Sequence, residues 1–533
     1  MKKFFNPVFW LLSIILFTAC GSSDNEKEST ENNLEEMQTS EKTQNQPGSE
    51  AQLSRLGKIQ PKKSSDIEGS YWGIQAGSLA DSVLEKAAEL GVKWTRLHAR
   101  WEEIEQEKGQ FNWHETDEAF EAVLKYGITP FVTLGQGHRL YSGTGNYDDP
   151  KLAAIYGESP APPTGSQAEM DAWLNFVTAT IDRYKDQIQY WEIWNEPNHR
   201  KYWGAPPNGE DYGRLVKATA AKIRELQPDA KIIAGSTAGI DADFVDAFLS
   251  QSDPSNIDII SFHNYANIPE DRVYRMPDYL QAINKYNPDI ELWQGECGYP
   301  SHSRTTGFRG RAPWGLNIQA KWLLRQALVD TWFCGATLSN YFLLAHDGEL
   351  NPDPRPGALT GVDSLFGYPE RGGSRLYSNG VNQKCILFRE DNSPKPGFHA
   401  YQNLTASMDN RYKPFRTKYE FQIHDQGVFY GLGVQEDAYP SVPLVASYKT
   451  NQDQYWVAYW LPWNAQEHIE DFATVSLKVN GASYDDPVLL DLLTGEVFAM
   501  EDVSREDNSV KFNNVPLGDY PIAIVERDEI EFQ

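Results

Sequence analysis

Short apolar runs alternate with amphipathic helical patterns from about residue 68 onward, and this alternation constrains the fold more than any other feature. It is typical of βα units that build a parallel sheet. The predicted helices place apolar residues three or four apart, and two of them stop before Gly91 and Gly127, where a left-handed residue suits a helix end. Eight runs are predicted strands: Tyr71–Gln75, Val92–His98, Ile128–Leu134, Ile188–Trp194, Ile232–Gly235, Ile257–Phe262, Ile290–Gln294 and Ala336–Tyr341. We therefore predict an α/β fold, a closed (β/α)8 TIM barrel, over residues 68–410.

From about residue 415 the pattern changes to alternating runs separated by turn residues. Such runs predict antiparallel strands, and we expect a C-terminal antiparallel β-sandwich domain over residues 411–533. Trp456, Trp460 and Trp463 allow two interpretations. We favour packing of the even-spaced pair on one face of a sheet, and a carbohydrate-binding platform is the alternative.

The N-terminus has the composition of a targeting segment: Lys2-Lys3, an apolar run through Phe17, then Thr18-Ala19-Cys20-Gly21. It resembles a bacterial lipoprotein signal, which implies removal of residues 1–20 as a signal peptide and lipidation of Cys20. A plain secretory signal is the alternative. Residues 21–67 are predicted to be a disordered tether, since residues 21–50 contain few large apolar side chains. The resemblance implies an outer-membrane lipoprotein facing the periplasm or the cell surface.

Composition excludes several partners. A formal charge of −27 argues against a nucleic-acid backbone as the ligand, because phosphate binding needs clustered Lys and Arg. No Gly-rich phosphate loop follows a predicted strand, so no nucleotide cofactor is expected. Cys297, Cys334 and Cys385 are widely spaced without a zinc signature, and we predict no metal. An odd number also leaves at least one cysteine unpaired within the chain, and the oligomeric state stays open.

Two carboxylic acids close predicted strands. Glu196, in Trp194-Asn195-Glu196-Pro197, ends the fourth run, and Glu296 ends the seventh. Cleavage of a glycosidic bond needs one carboxylic acid to protonate the leaving oxygen and one carboxylate to attack or stabilise the anomeric carbon. The two strand ends therefore predict a glycosidase.

These residues resemble the glycoside hydrolases of clan A, retaining (β/α)8 enzymes nearest here to family 39 or family 5-like members. In that clan an Asn-Glu pair ends strand four and a second Glu ends strand seven. The resemblance implies that Glu196 is the acid/base, that Glu296 is the nucleophile and that Asn195 binds the sugar 2-hydroxyl. A capping role is the alternative for Asn195. Burial and the charge of Glu296 are expected to raise the pKa of Glu196.

Further residues near strand ends are candidate substrate-binding groups. Arg96 matches the clan arginine that hydrogen-bonds the nucleophile, and Arg100 is the competing candidate. The other predicted contacts are His98, His138, His263, Tyr265, Tyr341 and, more weakly, His346. Arg304, Arg309 and Arg311 would suit an anionic sugar such as a uronate or sulfate ester, although a solvated loop face explains them equally.

The sequence thus predicts a lipid-anchored, cofactor-independent retaining β-glycosidase that binds a carbohydrate. Two alternatives remain: a surface glycan-binding lipoprotein on a degenerate barrel, and a transglycosylase that uses the same residues. Retention of both Glu196 and Glu296 with Asn195 favours an enzyme. The sugar and linkage stay open.

Overall fold

Eight parallel strands close into a barrel in the order of the chain, as predicted. The computed structural model describes residues 53–145, 147–266, 268–301, 315–345, 377–378, 381–382, 384–388, 391–429 and 442–533. The barrel strands are β2 (Trp72–Ile74), β3 (Trp94–Arg100), β4 (Thr129–Gly135), β5 (Tyr190–Ile193), β6 (Lys231–Ala238), β7 (Ile259–His263), β8 (Glu291–Cys297) and β9 (Leu338–Tyr341). Each lies on a predicted run, and the predicted TIM barrel is confirmed.

Helices between the strands pack apolar stripes against the barrel. The helices are α1 (Asp81–Glu89), α2 (Trp101–Ile104), α3 (His114–Lys125), α4 (Arg139–Ser142), α5 (Pro150–Tyr156), α6 (Gln167–Tyr184), α7 (Arg200–Trp203), α8 (Gly209–Leu226), α9 (Ala242–Gln251), α10 (Met276–Asn284), α11 (Leu316–Leu328) and α12 (Pro396–Ser407). Side-chain caps fix several starts: Ser166, Asn208 and Asp241 accept from backbone N–H groups in the first turns of α6, α8 and α9. The longer loops of the barrel meet at the carboxyl ends of the strands.

Side chains fill the lower barrel in one apolar layer. This layer consists of Trp94, Phe131, Tyr190, Ile233, Ile259, Trp293 and Leu338, one from each strand between β3 and β9. The rings of Tyr190 and Trp293 stack with centroids 5.5 Å apart. Because successive inward side chains are two residues apart, the next layer toward the carboxyl ends holds the residues that follow each of these by two. That layer is polar and begins the functional site.

Two antiparallel sheets form the predicted C-terminal sandwich. The larger sheet has the order β1-β18-β17-β21-β15-β14-β12, from β1 (Arg55–Lys58), β18 (Glu496–Ala499), β17 (Pro487–Asp491), β21 (Ile522–Glu526), β15 (Tyr455–Trp460), β14 (Leu444–Lys449) and β12 (Lys413–Pro414). The smaller one has the order β13-β16-β20-β19, from β13 (Tyr419–Asp425), β16 (Ala473–Asn480), β20 (Ser509–Leu517) and β19 (Val503–Glu506). A hairpin of β10 (Tyr377–Ser378) and β11 (Val381–Asn382) stands apart.

Strand β15 is buried on both faces. Trp456 and Trp460 pack into the core that the sheet shares with the barrel, and Tyr455 and Tyr459 pack between the two sheets. This supports the packing interpretation of the tryptophan pair. Trp463, beyond the strand, packs against Phe429 in the sandwich core.

A buried ionic network joins barrel and sandwich at α11. Arg325 donates to both oxygens of Glu270 at 2.9 and 2.6 Å and to the Trp463 carbonyl at 2.7 Å. Trp460 Nε1 donates to the same Glu270 at 2.8 Å. Lys321 pairs with Asp519 at 2.8 Å, also out of solvent. Buried charges require such complete pairing, so the contact between barrel and sandwich is specific.

The prediction that residues 21–67 form a disordered tether is wrong for the final part of that range. β1 pairs antiparallel with β18, and Lys58 exchanges backbone hydrogen bonds with Gln533. The reason is local composition: Leu53, Leu56 and Ile59 supply apolar contacts that residues 21–50 lack. The sandwich therefore contains one strand from the N-terminal side of the barrel. The sequence predicted a sandwich built only from the C-terminal side.

Cys297, Cys334 and Cys385 are all buried, and no disulfide links them. Burial raises the pKa of the Cys297 thiol, which donates to the Asn264 carbonyl at 3.1 Å. These thiols therefore fill the core. Across the described ranges, no helix is both long enough and apolar enough to cross a bilayer.

Candidate active site

The layer above the apolar floor of the barrel is polar. Arg96, Thr133, Glu192, Ser261 and Asn340 each follow a floor residue by two positions on the same strand. All five are buried, and Glu192 is fully enclosed. Charged groups in a barrel interior must be held by hydrogen bonds, and the contacts in this layer supply them.

Glu192 anchors Arg96. Arg96 donates from Nε and Nη2 to Glu192 Oε2 at 2.8 and 2.5 Å. Thr133 and Ser261 hydroxyls donate to the same carboxylate at 2.7 and 2.6 Å. Burial alone would raise the pKa of Glu192, but the charge of Arg96 and these hydrogen bonds lower it below its ordinary value. Glu192 therefore stays ionised and fixes the guanidinium.

The remaining guanidinium donors point toward the mouth of the barrel. Nη1 lies 3.2 Å from Glu296 Oε2, and Nη2 donates to Asn195 Oδ1 at 2.9 Å and to Ser236 Oγ at 3.0 Å. Arg100, the competing candidate, is exposed and pairs with Glu103. The structure thus places Arg96, as the resemblance implied, beside Glu296.

A tight turn after β5 brings Glu196 into the mouth. Trp194 and Glu196 have φ angles of 71° and 45°, a left-handed backbone conformation that residues other than glycine rarely adopt. The turn is held by the Trp194 N–H on the Leu134 carbonyl and the Glu196 N–H on the Ser236 carbonyl. Strain of this kind costs roughly 1–3 kcal/mol per residue and persists where surrounding contacts impose it. Here it directs the carboxyl inward.

His263, at the end of β7, contacts Glu196 directly. Its Nδ1 lies 2.9 Å from Glu196 Oε1, and its Nε2 lies 3.1 Å from Ser236 Oγ. Burial would raise the pKa of Glu196, but the hydrogen bond and charge of His263 outweigh it, so the net direction is downward. The prediction that the pKa of Glu196 is raised is wrong, because His263 donates a hydrogen bond directly to this carboxyl, a contact that the sequence did not predict.

Glu296 is the second carboxylate of the mouth. Besides the Arg96 contact, it accepts from the Tyr265 hydroxyl at 2.6 Å. One oxygen of Glu196, one of Glu296 and one His263 nitrogen lie within 4.8 Å of one another. The side chains of Glu196 and Glu296 are 12% and 18% exposed, so both reach solvent within a mostly buried site. Two carboxylates at this spacing face one another across the barrel mouth.

These three groups are also of metal-ligand type. Among the described residues they form the set close enough to share an ion. However, Arg96 and Tyr265 already donate to Glu296, and His263 already contacts Glu196. A guanidinium 3.2 Å from a carboxylate oxygen disfavours a cation on that oxygen, so we assign the cluster to proton transfer and nucleophilic attack.

A cavity of about 480 Å³ opens beside Glu296. Asn195, Glu296 and the predicted contact His98 line it. Burial, then the charges of Arg96, Arg100 and His263, lower the pKa of His98 well below its usual value, so its ring is neutral. The cavity also contains residues that the sequence did not single out as candidates: Gln75, Gln136, Tyr202 and Phe342. A larger cavity of about 1320 Å³ lies between α9 and α10 and contains neither carboxylate.

Two predicted contacts lie elsewhere. His138 caps α4: its Nε2 contacts the Glu105 carbonyl at 2.6 Å, and its Nδ1 accepts from the Leu140 N–H. Tyr341 faces outward from β9, where its hydroxyl meets the Tyr299 backbone and its ring lies near Tyr401. Both are structural, and the neighbouring Phe342 lines the mouth instead of Tyr341.

Glu192 and Ser236 are site residues that sequence reasoning missed. The signal for Glu192 was present, since a carboxylate within the apolar run Tyr190-Trp191-Glu192-Ile193 requires a buried partner. Ser236 gave no such signal. Cys20, Arg304, Arg309, Arg311 and His346 lie outside the described residues.

Part of the barrel is similar to a known protein family. Residues 80–285 match the family model described as Glycosyl hydrolases family 39. That range contains Asn195, Glu196, His263 and Tyr265 and ends before Glu296. Aryl-phospho-beta-D-glucosidase BglA of Bacillus subtilis (strain 168) is 29% identical over 121 residues, which are 21% of this chain and 22% of that protein. The match with this curated relative thus spans about a fifth of its length.

Solved structures share the fold over most of the chain. A family 39 glycoside hydrolase from the gut symbiont Bacteroides cellulosilyticus WH2 aligns with a TM-score of 0.57 and 16% identity, covering 86% of this chain and 81% of that one. A monomeric beta-xylosidase from Caulobacter crescentus CB15 aligns with a TM-score of 0.52 and 15% identity, covering 89% and 98%. At these identities the likeness concerns the fold. Together with the family match, it confirms the resemblance to the glycoside hydrolases of clan A.

Proposed function

We propose that this chain is a retaining glycoside hydrolase that cleaves β-glycosidic bonds of a polysaccharide or oligosaccharide, and the match of residues 80–285 to the model of glycosyl hydrolases family 39 supports it. One observation carries the proposal: oxygens of Glu196 and Glu296 lie within 4.8 Å of each other at one barrel mouth. Retaining enzymes hold their carboxyl groups about 5–5.5 Å apart, whereas inverting enzymes need about 6.5–9.5 Å to admit a water. The spacing supports double displacement.

In the first step Glu296 attacks the anomeric carbon while the bond to the leaving oxygen breaks. Glu196 gives its proton to that oxygen, and an alcohol departs from a glycosyl ester. Arg96 and Tyr265 both donate to Glu296, which orients the carboxylate for attack. Since Glu196 and His263 are hydrogen-bonded, this step requires that the pair hold a proton and that this proton lie on Glu196 when the leaving oxygen departs.

In the second step Glu196 acts as the base. It takes a proton from water, the water oxygen bonds to the anomeric carbon, and the ester bond to Glu296 breaks. The lowered pKa of Glu196 in contact with His263 suits this step, because the carboxylate form is the base. Two inversions restore the β configuration.

Asn195 and His98 are placed to hold the sugar. Asn195 Oδ1 is occupied by Arg96, so Nδ2 is the donor that it offers to a hydroxyl. Neutral His98 offers both a donor and an acceptor to the same cavity. Contacts that tighten at the oxocarbenium-like transition state increase the rate rather than only the affinity.

Two substitutions test the roles. We expect Glu296→Gln to abolish turnover of aryl β-glycosides, because an amide cannot form the glycosyl ester. We expect Glu196→Gln to show a burst with a good leaving group and then to stall, and added azide to restore turnover with a β-glycosyl azide as product. Glu225→Gln, at an exposed glutamate of α8, is the matched control and is expected to retain both steps.

The outcomes also separate the alternatives. Binding of glycan without turnover in the unmodified protein would indicate a glycan-binding lipoprotein. Sugar products longer than the substrate would indicate a transglycosylase. An α-glycosyl azide, or azide rescue of Glu296→Gln alone, would exchange the two roles.

We also propose lipid anchoring at Cys20 in a bacterial outer membrane, facing the periplasm or cell surface. The Thr18-Ala19-Cys20 pattern supports it. Cys20→Ser should move the protein from the membrane to the soluble fraction, since stable anchoring needs more than one acyl chain on the processed cysteine. Equal membrane retention of the variant would contradict the anchor.

An anionic substrate is a finer proposal, supported by Arg304, Arg309 and Arg311 in an otherwise acidic chain. Arg309→Ala and Arg311→Ala should raise KM for a uronate-bearing or sulfated glycan and spare neutral aryl glycosides. Equal effects on both substrates would indicate that these arginines only form a solvated loop face.

A further inference from the structure

A buried lysine lies beside the proposed nucleophile. Lys384, beyond β11, is only 6% exposed, and its Nζ sits 3.9 Å from the centroid of the Tyr265 ring. The same Nζ lies 5.2 Å from the ring of Phe342, which lines the mouth. Tyr265 in turn donates to Glu296. A buried ammonium thus reaches the carboxylate through one aromatic ring.

The backbone around Lys384 is fastened, so the position of Nζ is determined. The Lys384 carbonyl accepts from Gln319 Nε2 at 3.1 Å, and the next carbonyl, of Cys385, accepts from Lys395 Nζ at 2.7 Å. Gly298, just after β8, allows close approach: a Cβ there would lie 3.5 Å from Lys384 Cδ and 1.6 Å from the Phe342 carbonyl. The Phe342 carbonyl therefore excludes a side chain at position 298, and Lys384 Cδ lies at ordinary van der Waals distance from the same place.

We propose that Lys384 is a positioning residue for Glu296. It places a second positive charge beside the carboxylate, after Arg96, and holds the Tyr265 ring whose hydroxyl donates to Glu296. This inference rests on the proposed role of Glu296 as nucleophile.

Two physical effects act together. A cation over an aromatic face draws electron density from the ring, which makes the phenolic O–H a stronger donor. The low dielectric of a buried site also strengthens the direct attraction between ammonium and carboxylate. Burial lowers the pKa of Lys384, whereas the charges of Glu296, Cys297, Glu196 and Cys385 act to raise it. Because such coupling is mutual, an ammonium stabilised by Glu296 stabilises the ionised form of Glu296 in return.

Other titratable groups also face Glu296. They are Arg96 and His98 from β3, Glu192 and Glu196 from β5 and its turn, His263 and Tyr265 from β7 and its loop, and Cys297 from β8. The two neighbouring glutamates oppose ionisation of Glu296, and Arg96 is already shared with Glu192. A second cation offsets that repulsion.

The test compares three variants. Lys384→Met removes the charge, Lys384→Arg keeps it, and Lys93→Met removes a partly buried ammonium just before β3 that contacts the Ser64 and Gly127 carbonyls rather than Tyr265. We expect Lys384→Met to move the acidic limb of kcat/KM upward by about 0.5–1 pH unit, because the ionised nucleophile loses a neighbouring positive charge. Lys384→Arg should keep the limb near its original position, and Lys93→Met should leave it unchanged.

The pKa of Glu296 is also measured without turnover, from the carboxyl ¹³C signal of labelled glutamate that disappears in Glu296→Gln. An unchanged titration in Lys384→Met, or an equal shift in Lys93→Met, would overturn the inference. The expected shift of the titration in Lys384→Met, in a protein that cleaves no glycoside, would instead uphold the inference and reject the proposed function. A loss of stability alone would move neither the titration nor the limb.

Discussion

At the scale of single residues, the site is a chain of charge-assisted hydrogen bonds ordered around Arg96. Glu192 is ionised and buried, and its only described cationic contact is that guanidinium. The guanidinium then reaches Glu296 and Asn195, and through Ser236 it is linked to His263 and Glu196. The two proposed catalytic carboxylates are therefore parts of one network, but different partners control them: Arg96 and Tyr265 for Glu296, and His263 for Glu196.

His263 is expected to set the pH range of the first step. Replacing it by alanine removes the donor that lowers the pKa of Glu196, so Glu196 should keep its proton to a higher pH. We predict that the basic limb of kcat/KM moves upward by about one pH unit in His263→Ala, and that the second step slows. His114→Ala, at an exposed histidine of α3, is the control. A basic limb that stays in place would contradict the role of His263.

At the scale of elements, the end of α11 contains a buried acid. Residues Val329–Phe333 continue α11 as a π-helix, in which Asp330 accepts from Gln326 Nε2 at 2.5 Å and from Ser339 Oγ at 2.7 Å. Burial raises the pKa of Asp330 from 3.8 to about 8. Between these two pKa values the folded protein holds a proton on Asp330 that the unfolded chain has released. The free energy of unfolding therefore falls as the pH rises between them.

We predict that Asp330→Asn removes this dependence. Between pH 5 and pH 8 the unmodified protein should lose up to about 1.4 kcal/mol of unfolding free energy per pH unit relative to the variant, and the difference should level off above about pH 8. Urea unfolding at several pH values measures it, with Asp507→Asn on the surface as control. A constant difference across the window would contradict the assignment.

The elements also show what could be predicted from sequence. All eight barrel strands were found because each is a continuous apolar run with turn signals, and Glu196 and Glu296 were found because each closes one. Their partners could not be found this way: Ser236 and Lys384 reach the site through folding of distant segments, and the strand β1 depends on pairing with β18. His138 and Tyr341 lie away from the cavity, because a position near a strand end does not fix which way a side chain points.

At the scale of the whole molecule, the sandwich braces the barrel. Glu270 belongs to the segment Pro269–Arg275 after β7, the strand whose following loop carries Tyr265, and Arg325 on α11 holds it together with Trp460 of the sandwich. These charges are out of solvent, so removing one leaves the other uncompensated.

Arg325→Leu should therefore destabilise the protein by about 3–5 kcal/mol, the usual cost of breaking a buried ion pair. We also expect calorimetry to resolve two transitions where the unmodified protein shows one, because the joint between barrel and sandwich loosens. Arg214→Leu, from an exposed pair with Asp211 on α8, should cost less than about 1 kcal/mol. Equal effects of the two substitutions would show that the joint contributes little.

The most direct test of the central claim is to trap the glycosyl-enzyme. A 2,4-dinitrophenyl 2-deoxy-2-fluoro-β-glycoside of the sugar that is cleaved fastest slows both steps by destabilising the oxocarbenium-like transition state, while its good leaving group keeps the first step going. Peptide mass spectrometry of the inactivated protein should place one fluoroglycosyl group on Glu296. A label on Glu196 or another residue, or inactivation without any covalent label, would contradict the account.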